Sequence, residues 1–94
     1  MSSPSSALVR EIPIVNKQGL HARPAAMFVK LCNSFQCEIW VEKGDEQVNG
    51  KSIMGLMMLA ANHGSTIKVT ADGCDAEEAL DKIADLVGKG FNEE

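Results

Sequence analysis

Apolar residues fall along this chain in two periods, and the switches between them mark its elements. Leu8, Ile12 and Ile14 alternate with Val9, Glu11 and Pro13, which predicts a strand with one face toward a core. Proline lacks the N–H that a central strand would donate, so Pro13 puts this strand at a sheet edge. From Ala22 to Asn33 the period lengthens: Ala25, Phe28, Val29 and Cys32 recur at helical spacing. Cys37, Ile39 and Val41 then alternate with Glu38, Trp40 and Glu42, leaving Trp40 on the open side of the sheet. The polar run Lys43-Gly44-Asp45-Glu46 turns the chain into a short strand at residues 47–49.

Ser52 stands directly before Ile53-Met54-Gly55-Leu56-Met57-Met58-Leu59-Ala60, an N-cap ahead of a short second helix with Gly64 as its left-handed stop. Ile67, Val69 and Ala71 face inward from a fourth strand over 66–71, with Lys68 and Thr70 outward. Asp75-Ala76-Glu77-Glu78 reads as a capping box with Asp75 in the cap position. Behind it Ala79, Leu80, Ile83, Leu86 and Val87 form the stripe of a third helix that ends near Gly88 or Gly90. The sum is β-α-β-β-α-β-α, an α+β fold in which an antiparallel sheet carries its helices on one face as an open-faced two-layer sandwich. No repeat or linker divides it, so residues 7–94 are expected to form one domain behind a disordered serine-rich leader at 1–6.

Composition narrows the function. A chain of 94 residues can build one layered core but no deep substrate cavity. Its net charge of −4 without a basic run, and its four aromatic residues (three Phe, one Trp), argue against a nucleic-acid partner. The longest apolar stretch, 53–61, is far too short to span a bilayer, and the N-terminus has no signal-peptide pattern, so a cytoplasmic location is expected. Cys32, Cys37 and Cys74 are odd in number and lack metal-ligand spacing, which favours reduced thiols over disulfides or zinc, with Cys32 and Cys37 on apolar faces as core filling. His63 beside Gly64 is expected to stabilise a helix end. No metal or cofactor is called for.

The chemistry concentrates at Gly19-Leu20-His21-Ala22-Arg23-Pro24-Ala25. Gly19 can turn the chain and Pro24 suits a first helical turn, so His21 and Arg23 straddle a helix N-terminus. The backbone N–H groups of Ala22 and Arg23 and the positive end of the helix dipole make an anion site there. The imidazole beside it is a nucleophile that can carry the anion covalently, and the Arg23 guanidinium is a fork of donors suited to phosphate oxygens. A histidine that only caps the helix, or sits satisfied at the surface, is the plainer alternative. Ser52 has two compatible uses, as a helix cap and as a regulatory phosphorylation site. On the second helix, Leu56 and Leu59 with Ala60 are expected in the core, leaving Ile53, Met54 and Met57 as a partner-docking surface suited to adaptable methionines.

The first motif together with Val48-Asn49-Gly50-Lys51-Ser52-Ile53-Met54-Gly55-Leu56-Met57 resembles the HPr family, histidine-containing phosphocarriers of the bacterial phosphoenolpyruvate-dependent sugar phosphotransferase system. The resemblance covers about residues 7–90 and implies the sheet order 1-4-2-3. It further implies that His21 is phosphorylated on Nδ1 by Enzyme I and passes the group to EIIA domains, with Arg23 assisting, the chain being a carrier that is not catalytic alone. By the same resemblance, Ser52 matches a serine modified by HPr kinase/phosphorylase, the adjoining helix matches the docking surface, a catabolite-control transcription regulator is a further partner, and the chain acts as a monomer. The alternatives are a regulatory binding module governed by Ser52 and the nitrogen-type phosphotransferase carrier, which shares the fold and the histidine.

Overall fold

The computed structural model describes residues 7–92; the serine-rich leader expected at 1–6 lies outside the described residues. Its elements are β1 (Leu8–Pro13), α1 (Ala22–Cys32), β2 (Glu38–Lys43), β3 (Glu46–Asn49), α2 (Ile53–Leu59), β4 (Thr66–Asp72) and α3 (Ala76–Gly88), followed by a 3₁₀ turn at Gly90–Asn92. The strands form one antiparallel sheet in the order β1-β4-β2-β3. Pro13 therefore sits on an edge strand. It pairs with Thr66 on one side only, where its missing N–H interrupts no second ladder.

All three helices lie on one face. Ile12 and Ile67 pair across β1 and β4, Val41 pairs with Val69 and Val48, and Ile39 pairs with Ala71. Ile12, Ile39, Val41, Ile67, Val69 and Ala71 are buried against Phe28 of α1, Leu56 and Leu59 of α2, and Leu80, Ile83 and Val87 of α3. α3 covers β1 and β4, α2 covers β2 and β3, and α1 contacts both other helices. Phe28 and Ile83 are fully excluded from solvent; truncating such a side chain to alanine costs about 2–5 kcal/mol.

Five sequence expectations need correction. Leu8 shares the inward face with Ile12 but is the first residue of the edge strand and is 42 % exposed. Ala60 is not core: α2 ends one residue earlier, with Ala60 exposed in the left-handed conformation (φ 55°, ψ 46°), and Ala61 takes the buried place. Gly64 accordingly does not stop the helix; it turns the chain toward β4, its N–H donating to Ile14 O at 3.0 Å. His63 lies exposed in that same turn, past the helix end it was expected to stabilise. Asp75 precedes α3 but caps nothing with its side chain. Its carboxylate instead accepts the backbone N–H groups of Gln36 and Cys37, each at 2.9 Å, tying the α1–β2 loop to the start of α3.

Candidate functional site

A tight turn presents His21. The N–H of Gly19 donates to Asn16 O at 3.2 Å, and Gly19 has φ +70°, a left-handed conformation that side chains resist. A Cβ there would collide with Ala61 O, so the position also excludes any larger residue by contact. Leu20, buried under the turn, donates its N–H to Ala61 O at 2.9 Å. The chain thus enters α1 anchored to the segment that leaves α2.

His21 is the N-cap of α1, with extended φ −84° and ψ −167°. Its backbone O accepts the N–H of Ala25 at 2.9 Å, but its imidazole makes no capping bond. The side-chain cap that the plainer expectation allowed is therefore absent at His21. Arg23 is exposed one residue into the helix, and Pro24 is buried in the first turn, where its lack of an N–H is harmless. Helix geometry leaves the N–H groups of Ala22 and Arg23 without intrahelical acceptors, and no acidic residue occupies that first turn. An anion placed beside His21 would meet donors and a guanidinium with no carboxylate in the turn to repel it.

α2 runs beside α1 in the opposite direction. Leu20 joins Ala61 at one end of the pair, and Lys51 Nζ donates to Phe35 O at 2.9 Å at the other. Ser52 caps α2, its Oγ accepting Gly55 N–H at 3.0 Å. The structure therefore places Ser52 and His21 at opposite ends of the helix pair, separated by roughly the 16 Å length of an eleven-residue helix. Between them lies an apolar surface. Ile53 and Met57 are 42 % and 45 % exposed and Met54 is 73 % exposed, as the sequence division of α2 expects, while Leu56 and Leu59 are buried.

Sequence reasoning missed two features. Met58 is as exposed as Met54 and extends the apolar surface one turn along α2. Lys17, Arg23 and Lys30 are exposed around α1 with Lys51 nearby, whereas residues 12–37 and 47–71 contain none of the 13 acidic residues. That gap in the acidic residues was the available signal, and the overall negative charge concealed it.

The thiols play no part at this site. Burial pushes Cys32 up to about 12, and burial together with the bond and charge of Asp75 pushes Cys37 up to about 11, so both stay neutral. Cys74 is exposed and all three are free. Among the described residues no three His, Cys, Asp or Glu side chains converge as a metal site, and no helix is long and apolar enough to cross a membrane.

Residues 8–89 match the family model described as the PTS HPr component phosphorylation site. The phosphocarrier protein HPr of Neisseria meningitidis is 49 % identical over 86 residues, spanning 92 % of this chain and 97 % of that protein. Among solved structures, HPr from Thermoanaerobacter tengcongensis superposes with a TM-score of 0.89 at 48 % identity, covering 93 % of this chain and 98 % of that one. Crh, the Bacillus subtilis catabolite repression protein described as a swapped dimer, superposes with a TM-score of 0.72 at 43 % identity, covering 86 % and 93 %.

Proposed function

This chain belongs to the PTS HPr family of phosphocarriers, and from that premise we propose that His21 is the residue on which it carries the phosphoryl group, received from Enzyme I and delivered to EIIA domains. The observation that supports this most is the position of His21: the N-cap of α1, beside the Ala22 and Arg23 N–H groups that helix geometry leaves without intrahelical acceptors, in a first turn with no acidic residue. Nδ1 of the neutral ring attacks phosphorus while the bond to the donor's leaving atom breaks, and the reverse exchange delivers the group. Through each passage negative charge spreads over three equatorial oxygens, and the helix N-terminus and Arg23 stabilise it without a change of fold. Donor and acceptor proteins supply the rest of the catalytic machinery, so the chain is a carrier and not an enzyme by itself.

Ile53, Met54 and Met57 form the docking surface shared by Enzyme I and EIIA, with the basic side chains around α1 favouring acidic partners. Phosphorylation of Ser52 by a kinase of the HPr kinase/phosphorylase type regulates that docking and offers a surface to a catabolite-control regulator; the kinship with Crh supports this second role. The protein acts as a monomer in the cytoplasm. The experiment is a chase: protein labelled by phosphoenolpyruvate and Enzyme I is separated and mixed with an EIIA domain. Quantitative passage of label to EIIA identifies a carrier, and label that stays identifies a terminal acceptor. Size-exclusion chromatography distinguishes the monomer from a swapped dimer.

A further inference from the structure

Asn16 is the one polar side chain buried among the described residues, at 5 % exposure. Burying an amide is costly unless it is hydrogen-bonded, and an apolar side chain of similar size would serve packing better. Its bonding shows a more specific use. Asn16 Nδ2 donates to Gly19 O at 2.8 Å, and the N–H of His21 donates to the same oxygen at 2.9 Å. One carbonyl thus links a buried amide to the backbone of the histidine.

Both partners are held. Gly19 is pressed against Ala61 O on one side. Asn16 is backed by the C-terminal turn, where a Cβ on Gly90 would lie 3.6 Å from Asn16 Cβ and 3.9 Å from Val15 Cγ2, and where Phe91 is fully buried in a left-handed conformation (φ 57°). With Gly19 O fixed by two donors, the His21 N–H has one direction in which to point, and the extended backbone that projects the imidazole at the mouth of α1 follows from it. A carbonyl oxygen engaged in this way is also not left to repel an arriving phosphoryl group. The geometry points to Asn16 as a positioning residue for phosphoryl transfer, acting on His21 through the Gly19 carbonyl. This rests on the reading of His21 as the carrier residue.

Asn16→Ala and Asn16→Asp both remove the donor, and neither touches α2 or the basic side chains of α1. Each variant is offered as substrate to Enzyme I with phosphoenolpyruvate, beside wild type and His21→Ala, with circular dichroism and thermal unfolding as checks on the fold. Folded variants are expected to keep KM for Enzyme I within about twofold of wild type, to lose roughly 10–100-fold in kcat, and to show displaced His21 ring signals by nitrogen-resolved NMR. A folded variant with unchanged kcat overturns the inference, as does a rise in KM alone. If neither variant folds, Asn16 is a structural residue and the inference is overturned in that way instead. Failure of the wild type to take phosphate at all, or phosphate accepted by His21→Ala, refutes the reading of His21 itself.

Discussion

The N–H of Cys37 donates to Oδ1 of Asp75 at 2.9 Å, joining positions 38 residues apart in sequence. The other carboxylate oxygen takes the N–H of Gln36. This one side chain closes the loop that carries the chain from α1 into β2, and it holds the end of α1 opposite to the histidine.

Asp75 gives the fold a dependence on acid. The Gln36 N–H, with further donors from Cys37, holds its carboxyl below the ordinary value of 3.8. A folded value below the unfolded one means stability that is present above about pH 4 and lost as pH falls through the folded value. Thermal unfolding of wild type and Asp75→Asn between pH 2 and 7 should therefore converge at the acid end, with wild type the more stable at neutral pH. Parallel curves would show that the carboxylate charge is not what holds the loop. The Cys37 thiol, raised from 9.0 to about 11, acts in the opposite sense: its stabilisation is complete below pH 9 and declines as pH rises through 11.

The apolar surface of α2 should carry binding energy for both partners. Met57→Glu leaves the buried Leu56 and Leu59 untouched and puts a charge amid Ile53, Met54 and Met58. Calorimetry should find affinity for Enzyme I and for EIIA each reduced about tenfold or more, on the order of 1.4 kcal/mol. Unchanged affinity for both would mean that partners dock elsewhere.

Phosphate on Ser52 should slow phosphorylation of His21 without altering the fold, and Ser52→Asp should imitate part of the effect because it retains a capping acceptor. At roughly 16 Å the two positions are beyond the screening length of about 8 Å at physiological salt, so direct repulsion between them is weak. The added charge acts on the partner that covers α2. Transfer from Enzyme I to Ser52→Asp should thus be slower by about tenfold at low salt, through KM more than kcat, and should approach wild type at high salt. Equal rates at low salt would reject the electrostatic mechanism.

Much of this was legible in the residues because periodicity and proline report directly on backbone geometry. Pro13 located an edge strand, Pro24 located the first turn of α1, and Ser52 capped α2 as its position promised. What sequence left hidden were choices made by tertiary contact. Asp75 has the pattern of a local cap, yet two N–H groups from a distant loop won its carboxylate. Ala60 took a left-handed conformation ahead of the glycine that was better suited to it, because Leu59 and Ala61 both had to be buried. Asn16 carries no sequence signal of burial, because its bond to Gly19 O and the approach of Gly90 are set by tertiary contact.

The central claim is that one ring nitrogen of His21 carries the phosphoryl group. Wild type and His21→Ala, each folded by circular dichroism, are incubated with phosphoenolpyruvate and Enzyme I, and the phosphate is located by mass spectrometry under conditions that preserve acid-labile bonds. The account predicts one acid-labile phosphate on His21 in wild type, none in His21→Ala, and a slowed but measurable reaction in Arg23→Ala. Enzyme I-dependent phosphate on folded His21→Ala, or on any other residue of wild type, would contradict it.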